Sequence, residues 1–254
     1  MMEMPNSKVS AEEAREKVSK YKDDIKVEGE RVVNDVLPQR ILEMNELLEQ
    51  APFTTTDLRQ FHSALQVGVP PPLHADGQPP PGKRRKRSED AGDGESPPAS
   101  CLLPHGSVPC NKPITDIIEI LKPIIRRIME ETNLLKMWVT YMIPKIEDGN
   151  NFGVSIQEDA LGEVASAETE SATHFYEISR YFSFRAKLVS KVVKYPHIDD
   201  YRRAVEELDE KQFVSLRLTL VEIRNRYATL HDVISKNLVK IKKPRSVDSA
   251  ESMY

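Results

Sequence analysis

The chain has 254 residues, 39% hydrophobic and 30% charged, and its 36 basic and 40 acidic side chains leave a net charge of −4. This is a globular, polar mix rather than a disordered one, and no run approaches the ~20 apolar residues that span a bilayer. The slightly acidic balance argues against nucleic-acid binding through overall charge.

The N-terminus, Met1-Met2-Glu3-Met4-Pro5-Asn6, has no basic region followed by an apolar core, so no secretory signal is expected. The first helix begins at Ser10-Ala11-Glu12-Glu13, a capping-box signature. Apolar positions then recur at Ala14, Val18, Tyr21, Ile25, Val32 and Val36, one face of an α-helix. Pro38 predicts a bend, after which the pattern resumes at Ile41, Leu42, Leu47 and Leu48.

Eleven of the 18 prolines fall between Pro70 and Pro113, with triplets at Pro70-Pro71-Pro72 and Pro79-Pro80-Pro81. Proline removes a backbone donor and blocks helix, so 66–112 reads as an exposed, flexible linker. It separates an N-terminal helical segment, 1–65, from a C-terminal helical region, 113–254. Both cysteines, Cys101 and Cys110, lie in this stretch, which fits free thiols in a reducing compartment rather than a disulfide framework.

The second helix enters at Pro113 and carries Ile114, Ile117, Ile118, Leu121, Ile124, Ile125, Ile128, Leu135, Trp138 and Met142. Its apolar face is the widest, so it should be the most buried. A third helix, from about Val154 to Lys194, has the stripe Ile156, Ala160, Val164, Ala167, Ser171, Phe175, Ile178, Phe182, Leu188 and Val192. Tyr195-Pro196-His197 ends it. A fourth, from Asp199 to about Ile241, carries Tyr201, Val205, Leu208, Phe213, Leu216, Leu220, Ile223, Tyr227, Leu230, Ile234 and Leu238. No alternating strand pattern appears. The expected fold is all-α: an elongated four-helix bundle of rods ~60 Å long, the third and fourth antiparallel because so few residues join them. Such rods gain by lining up beside copies of themselves, so an oligomer is expected.

The chemistry is sparse. The six histidines and two cysteines show no metal-ligand spacing, and there is no P-loop, dinucleotide fingerprint or nucleophile elbow. Neither a metal nor any other cofactor is expected, and an enzyme is argued against. Three features remain, each open to two readings. The block Lys83-Arg84-Arg85-Lys86-Arg87 reads as a nuclear-import signal or as a solvated charge run. Five charges without interleaved aromatics would hold nucleic acid only weakly. The connector 145–154, rich in Gly and Asn, reads as a turn or as a contact site built around Phe152 at the end of a long rod. The terminal Ser252-Met253-Tyr254 reads as a frayed end or as a docking peptide with its carboxylate.

The stretch from Pro144 to Glu158, PKIEDGNNFGVSIQE, resembles the activation loop of the REG (eleven-S) proteasome activators. Around it stand Lys136-Met137-Trp138-Val139, then RAKLVSK over 185–191, Tyr195-Pro196-His197, Asp200-Tyr201-Arg202-Arg203, Glu222-Ile223-Arg224-Asn225, Leu230-His231-Asp232, Lys243-Pro244-Arg245 and the terminal Tyr254. The resemblance covers 113–254 strongly and 10–65 more loosely. The 185–191 stretch and the basic block make it most similar to the nuclear gamma type, from whose usual insert the Pro-rich linker departs. The resemblance implies a heptameric ring that stacks on the outer (alpha) ring of the core proteasome. Its tails, Ser252, Met253 and Tyr254 here, would dock in pockets between the outer-ring subunits. A loop formed by Glu147, Asp148, Gly149, Asn150, Asn151, Phe152, Gly153 and Val154 would hold the gate open. It implies passage of peptide and protein substrates without ATP or ubiquitin, in the nucleus and secondarily the cytoplasm. The alternative is an oligomeric nuclear scaffold that recruits partners through the Pro-rich linker.

Overall fold

The computed structural model of the chain describes residues 10–69, 107–145 and 154–244. Every regular element among them is helical: α1 Ala11–Arg31, a π-helical turn Val32–Val36, α2 Leu37–Leu48, a 3-10 turn Leu58–Phe61, α3 Lys112–Met142, α4 Val154–Lys194 and α5 Asp199–Lys242. The first turn and α1 and α2 form one unbroken rod, so the chain has the four long helices that the periodicity predicts.

The bend expected at Pro38 takes a specific form. A proline inside a helix lacks an N–H, and its ring crowds the carbonyl four residues back. Here the preceding turn widens, and the Leu37 N–H reaches Val32 O, five residues back, instead of continuing the α pattern. The start of α1 is capped as expected: Glu13 N–H donates to Ser10 Oγ at 3.2 Å, with Glu12 and Glu13 in the first turn.

The described residues pack into two compact units. The first draws on 10–57, 116–145, 154–179 and 214–244, the second on 58–69, 107–115 and 180–213. The first unit is a four-helix bundle whose directions follow from its cross-helix pairs. Arg40 Nε donates to Glu131 at 3.0 Å and Arg127 Nη1 to Glu43 at 3.0 Å, so α2 and α3 run antiparallel. Lys136 meets Glu168 at 2.9 Å while Gln157 reaches Met142, and Arg226 meets Glu170 while His174 meets Glu222, so α4 is antiparallel to both α3 and α5. Arg224 reaches Asn45, while Arg217 Nε donates to Phe53 O at 2.9 Å.

The core of this unit is the α3 face. Ile117, Ile118, Leu121, Ile124, Ile125, Ile128, Leu135 and Trp138 are all buried, as the wide apolar stripe predicts. Full burial of each such side chain is worth ~1.5–3 kcal/mol relative to exposure. Gly29 of α1 lies directly on Trp138. A Cβ at that position would sit 2.2 Å from the indole Cγ, so only glycine lets the two helices approach this closely. On α1 itself the stripe is largely open: Ala14, Val18 and Tyr21 are exposed, and among residues of this helix only Gly29 is buried.

The second unit is built around a charge. Asp209, fully buried, accepts from Tyr181 Oη at 2.8 Å, Arg185 Nε at 3.0 Å, Asn111 Nδ2 at 2.7 Å and Ser63 Oγ at 3.2 Å. Burial, then the Asp209 carboxylate, push the Tyr181 phenol well above its usual range. Phe61 stacks on Phe213 with ring centroids 3.8 Å apart.

This unit also holds both ends of the stretch expected as linker over 66–112. Arg202 donates to Leu65 O and to Val67 O, the latter at 2.6 Å. Asn111 Nδ2 donates to Phe61 O at 2.6 Å, and its Oδ1 accepts from the Ile114 N–H at the start of α3. Val67 and Val108 pack in one apolar cluster with Val192 and Val205. Residues 66–69 and 107–111 are therefore anchored, and Lys112 already belongs to α3.

Candidate functional site

Of the residues named from the sequence for docking and gating, the structure describes Val154, the first residue of α4. Glu147, Asp148, Gly149, Asn150, Asn151, Phe152 and Gly153 lie outside the described residues. So do Ser252, Met253 and Tyr254, and Lys83, Arg84, Arg85, Lys86 and Arg87. What the structure does describe is where the 146–153 segment and the C-terminal residues leave the first unit, and one side chain organises that place.

Gln157 stands one turn into α4 and is fully buried. Its Nε2 donates one hydrogen to Met142 O, at 2.9 Å, and the other to Ile241 O, at 2.7 Å. Met142 is the last residue of α3 and Ile241 the penultimate residue of α5. The last four carbonyls of a helix have no partner within it, so one amide group satisfies an orphan acceptor on each of two helices. The amide orientation is fixed by chemistry: two carbonyl oxygens require the NH2 side, because the Oε1 side would repel both. Gln157 Oε1 finds no partner among the described residues, an arrangement that costs about 1–3 kcal/mol for a buried acceptor.

Around this amide three helix ends meet. The chain leaves α3 through Ile143, whose N–H donates to Thr140 O, and re-enters at Val154, so 146–153 starts and ends here. It leaves α5 after Lys242, where Lys243 N–H still reaches Val239 O, so the last residues also start here. Lys242 Nζ pairs with Glu30 Oε1 at 2.8 Å, tying the same exit to α1. Beneath lie fully buried Ile241 and Trp138.

The remaining polar side chains form structural pairs. Arg40 and Arg127 share Glu43, and Glu131 accepts from both Arg40 and Tyr227 Oη, at 2.6 Å for the latter. Burial, then the Glu131 charge, raise the Tyr227 phenol well above its usual range. Glu170 is held below the usual carboxylate range although burial pulls the other way, because Arg226 and Ser166 donate to it. His174 Nε2 lies 3.2 Å from Glu222, with Thr219 Oγ1 3.5 Å from its Nδ1. Among the described residues no group of three or more His, Cys, Asp or Glu could hold a metal ion.

Gln157 and Arg185 enter the sequence reading only inside stretches quoted for the family resemblance, with no role of their own, and Asp209 does not enter it. Apolar spacing places the α4 stripe on Ile156, Ala160, Val164, Ala167, Ser171, Phe175, Ile178, Phe182, Leu188 and Val192, of which Ala160, Val164, Ala167, Ser171, Ile178 and Val192 are buried. In the structure Ile156 and Phe182 are half-buried and Phe175 is exposed, while Gln157, Tyr181 and Arg185 face inward. One signal was present: 157, 160, 164, 167 and 171 keep a single helical register, with a polar residue at each end.

Comparison with known proteins is consistent along the chain. The family model described as "Proteasome activator PA28, C-terminal" matches residues 107–251, and "Proteasome activator PA28, N-terminal" matches 12–72. The chain is 44% identical to "Proteasome activator complex subunit 3" of Pongo abelii over 247 residues, covering 96% of this chain and 97% of that protein. It is 43% identical to the Homo sapiens protein of the same name, with the same coverage. Among solved structures it is similar to the 11S subunit of the Plasmodium falciparum proteasome, PA28, with a TM-score of 0.73 and 29% identity, covering 96% of this chain and all of that one.

Proposed function

Because the chain belongs to the PA28 family of proteasome activators, we propose that it is a non-enzymatic activator that docks on the core proteasome and opens its gate. In this reading Ser252, Met253 and Tyr254 enter pockets of the outer (alpha) ring. The segment from Glu147 to Val154 acts on the gate, and peptides and some proteins then pass without ATP, ubiquitin or any cofactor. The acting form is a homo-oligomeric ring, a heptamer. Lys83, Arg84, Arg85, Lys86 and Arg87 direct it to the nucleus, with the cytoplasm as a second location.

The observation that carries the reading is the shared exit. Gln157 brings the end of α3 and the end of α5 within hydrogen-bond reach of one side chain. A docking tail and a gating loop must face the same surface, and both segments leave the first unit at this place. Phe175, Tyr176, Val214 and Leu218 are each 40% or more exposed, which suits a subunit that covers them with neighbouring copies. Division of labour follows from general physics. A short tail binds weakly alone, but several tails on one rigid ring bind by avidity, since each later contact is intramolecular. The loop need only favour the open gate over the closed one.

The competing reading is a scaffold that works through the Pro-rich linker. The structure suggests a clean test, since Val67 and Val108 pack in one cluster and the chain between them can be shortened without unpacking either end. Replacing 70–106 by a short Gly/Ser bridge is expected to leave stimulation of peptide hydrolysis by latent core proteasome within about twofold, because gating uses other segments. Loss of stimulation from a variant that still assembles would favour the scaffold.

A further inference from the structure

We propose that Gln157 is the positioning residue that sets the gating segment in register with the docking tail. The proposal rests on the activator reading above and adds a specific device to it.

The argument starts from what the amide does. Its two hydrogens go to two different helices, and each acceptor sits at the point where a functional segment departs. A helix end without a capping partner frays, because its last carbonyls seek water and the final turn loosens. Here neither end can loosen or shift along its axis without stretching a bond to the same nitrogen. Gln157 is itself fixed, being fully buried on α4 only three residues after Val154. All three exits are therefore referred to one atom: the departure of the loop at Met142, its return at Val154 and the departure of the tail at Ile241.

Other groups near this place do not perform that role. Lys242–Glu30 ties α5 to α1 and not to α3. Trp138 and Ile241 supply burial, which is non-directional and tolerates a slide of one helix along another. Gln157 bridges the ends of α3 and α5 directly, with one hydrogen bond to each.

The consequence is a separation of two measurable quantities. Docking depends on the tail residues and on the number of tails per ring, both of which a Gln157 variant retains. Gate opening depends on where the loop sits once the tails are seated, and that is what the amide fixes. Gln157→Met keeps the length and volume of the side chain and removes both donors. Gln157→Asn keeps the amide but is one methylene shorter, so it can hold one carbonyl and not both.

The experiment titrates latent core proteasome with the full-length chain and with each variant, reading hydrolysis of a fluorogenic peptide. Half-saturating concentration reports docking and the plateau reports gating; sedimentation and thermal melting monitor assembly. For Gln157→Met, the half-saturating concentration is expected to stay within about twofold while the plateau falls ~5-fold or more, the scale of one net hydrogen bond withdrawn from the open state. Gln157→Asn is expected to fall in between, and it carries the test should the Met variant not assemble. A wild-type plateau with either assembled variant overturns the proposal, as does a loss confined to half-saturation. Hydrogen exchange decides the device independently of activity. In the variants the amides of Ile143 at the α3 exit and of Lys243 at the α5 exit should exchange faster together, with the middles of α3 and α5 still protected. Loosening at one exit alone, or at neither, overturns the register even if the wild-type chain stimulates. Failure of the wild-type chain to stimulate, with both exits loosened together in the variants, would instead count against the activator reading.

Discussion

Asn151→Tyr is expected to abolish stimulation of peptide hydrolysis while leaving the oligomer and its docking intact. In the proposed function, tails and loop do different thermodynamic work. The tails supply affinity, multiplied by the number held on one rigid ring. The loop supplies only the difference in affinity between the open and closed gate, and a ligand that binds both states equally shifts nothing. A tyrosine at 151 puts a bulky ring where a small amide stands, in a segment that must fit closely to act. The check is direct: the variant should compete with the wild-type chain for core proteasome at similar concentration while its own plateau stays at the latent level. A variant that stimulates normally would show that 147–154 is a connector and no more.

The second large effect concerns stability. Arg185→Leu leaves the Asp209 carboxylate fully buried without its cation, since the guanidinium donates to Asp209 at 3.0 Å and also to Ser63 Oγ at 2.5 Å. Breaking one side of a buried ion pair costs about 3–5 kcal/mol, because the remaining charge is uncompensated. Tyr181, Asn111 and Ser63 still donate to the carboxylate, so the lower end of that range is expected here. At ~2–4 °C per kcal/mol for a chain of this size, the melting midpoint should drop by roughly 6–12 °C at fixed protein concentration. The double replacement Arg185→Leu, Asp209→Leu should regain most of the loss, since a paired charge removed on both sides is close to neutral. A single variant within 0.5 °C of wild type would mean that water reaches Asp209.

The wide stripe of α3 and most of the stripe on α5 were legible in the sequence because burial there is apolar and strictly periodic. From Ile117 to Trp138, and from Phe213 to Ile234, the named positions are the buried ones. The α4 stripe was less legible for a physical reason. Gln157, Tyr181 and Arg185 are buried because specific acceptors wait for them, and an acceptor on another helix leaves no mark on local spacing. The same holds for Asn111, which reads as linker until its bonds to Phe61 O and Asp209 are seen. Of the candidate site, periodicity located only the ends of the helices that bear it. The roles proposed for Asn151 and Tyr254 rest on resemblance, and the amide that joins the ends of α3 and α5 is seen only in the structure.

The exposed stripe of α1 has a similar lesson. Val18 and Tyr21 follow the helical spacing of a buried face, yet both are more than half exposed. Periodicity records that a face is meant to be covered, not by what. In an oligomer of the kind proposed, the cover would come from another copy.

The most direct measurement is hydrolysis of short fluorogenic peptides by latent core proteasome, without ATP, in the presence of the full-length chain or of a version lacking Met253 and Tyr254. The account predicts strong stimulation by the first and none by the second. Equal stimulation by both would contradict tail-dependent gate opening, and no stimulation by a well-assembled full-length chain would contradict the activator function itself.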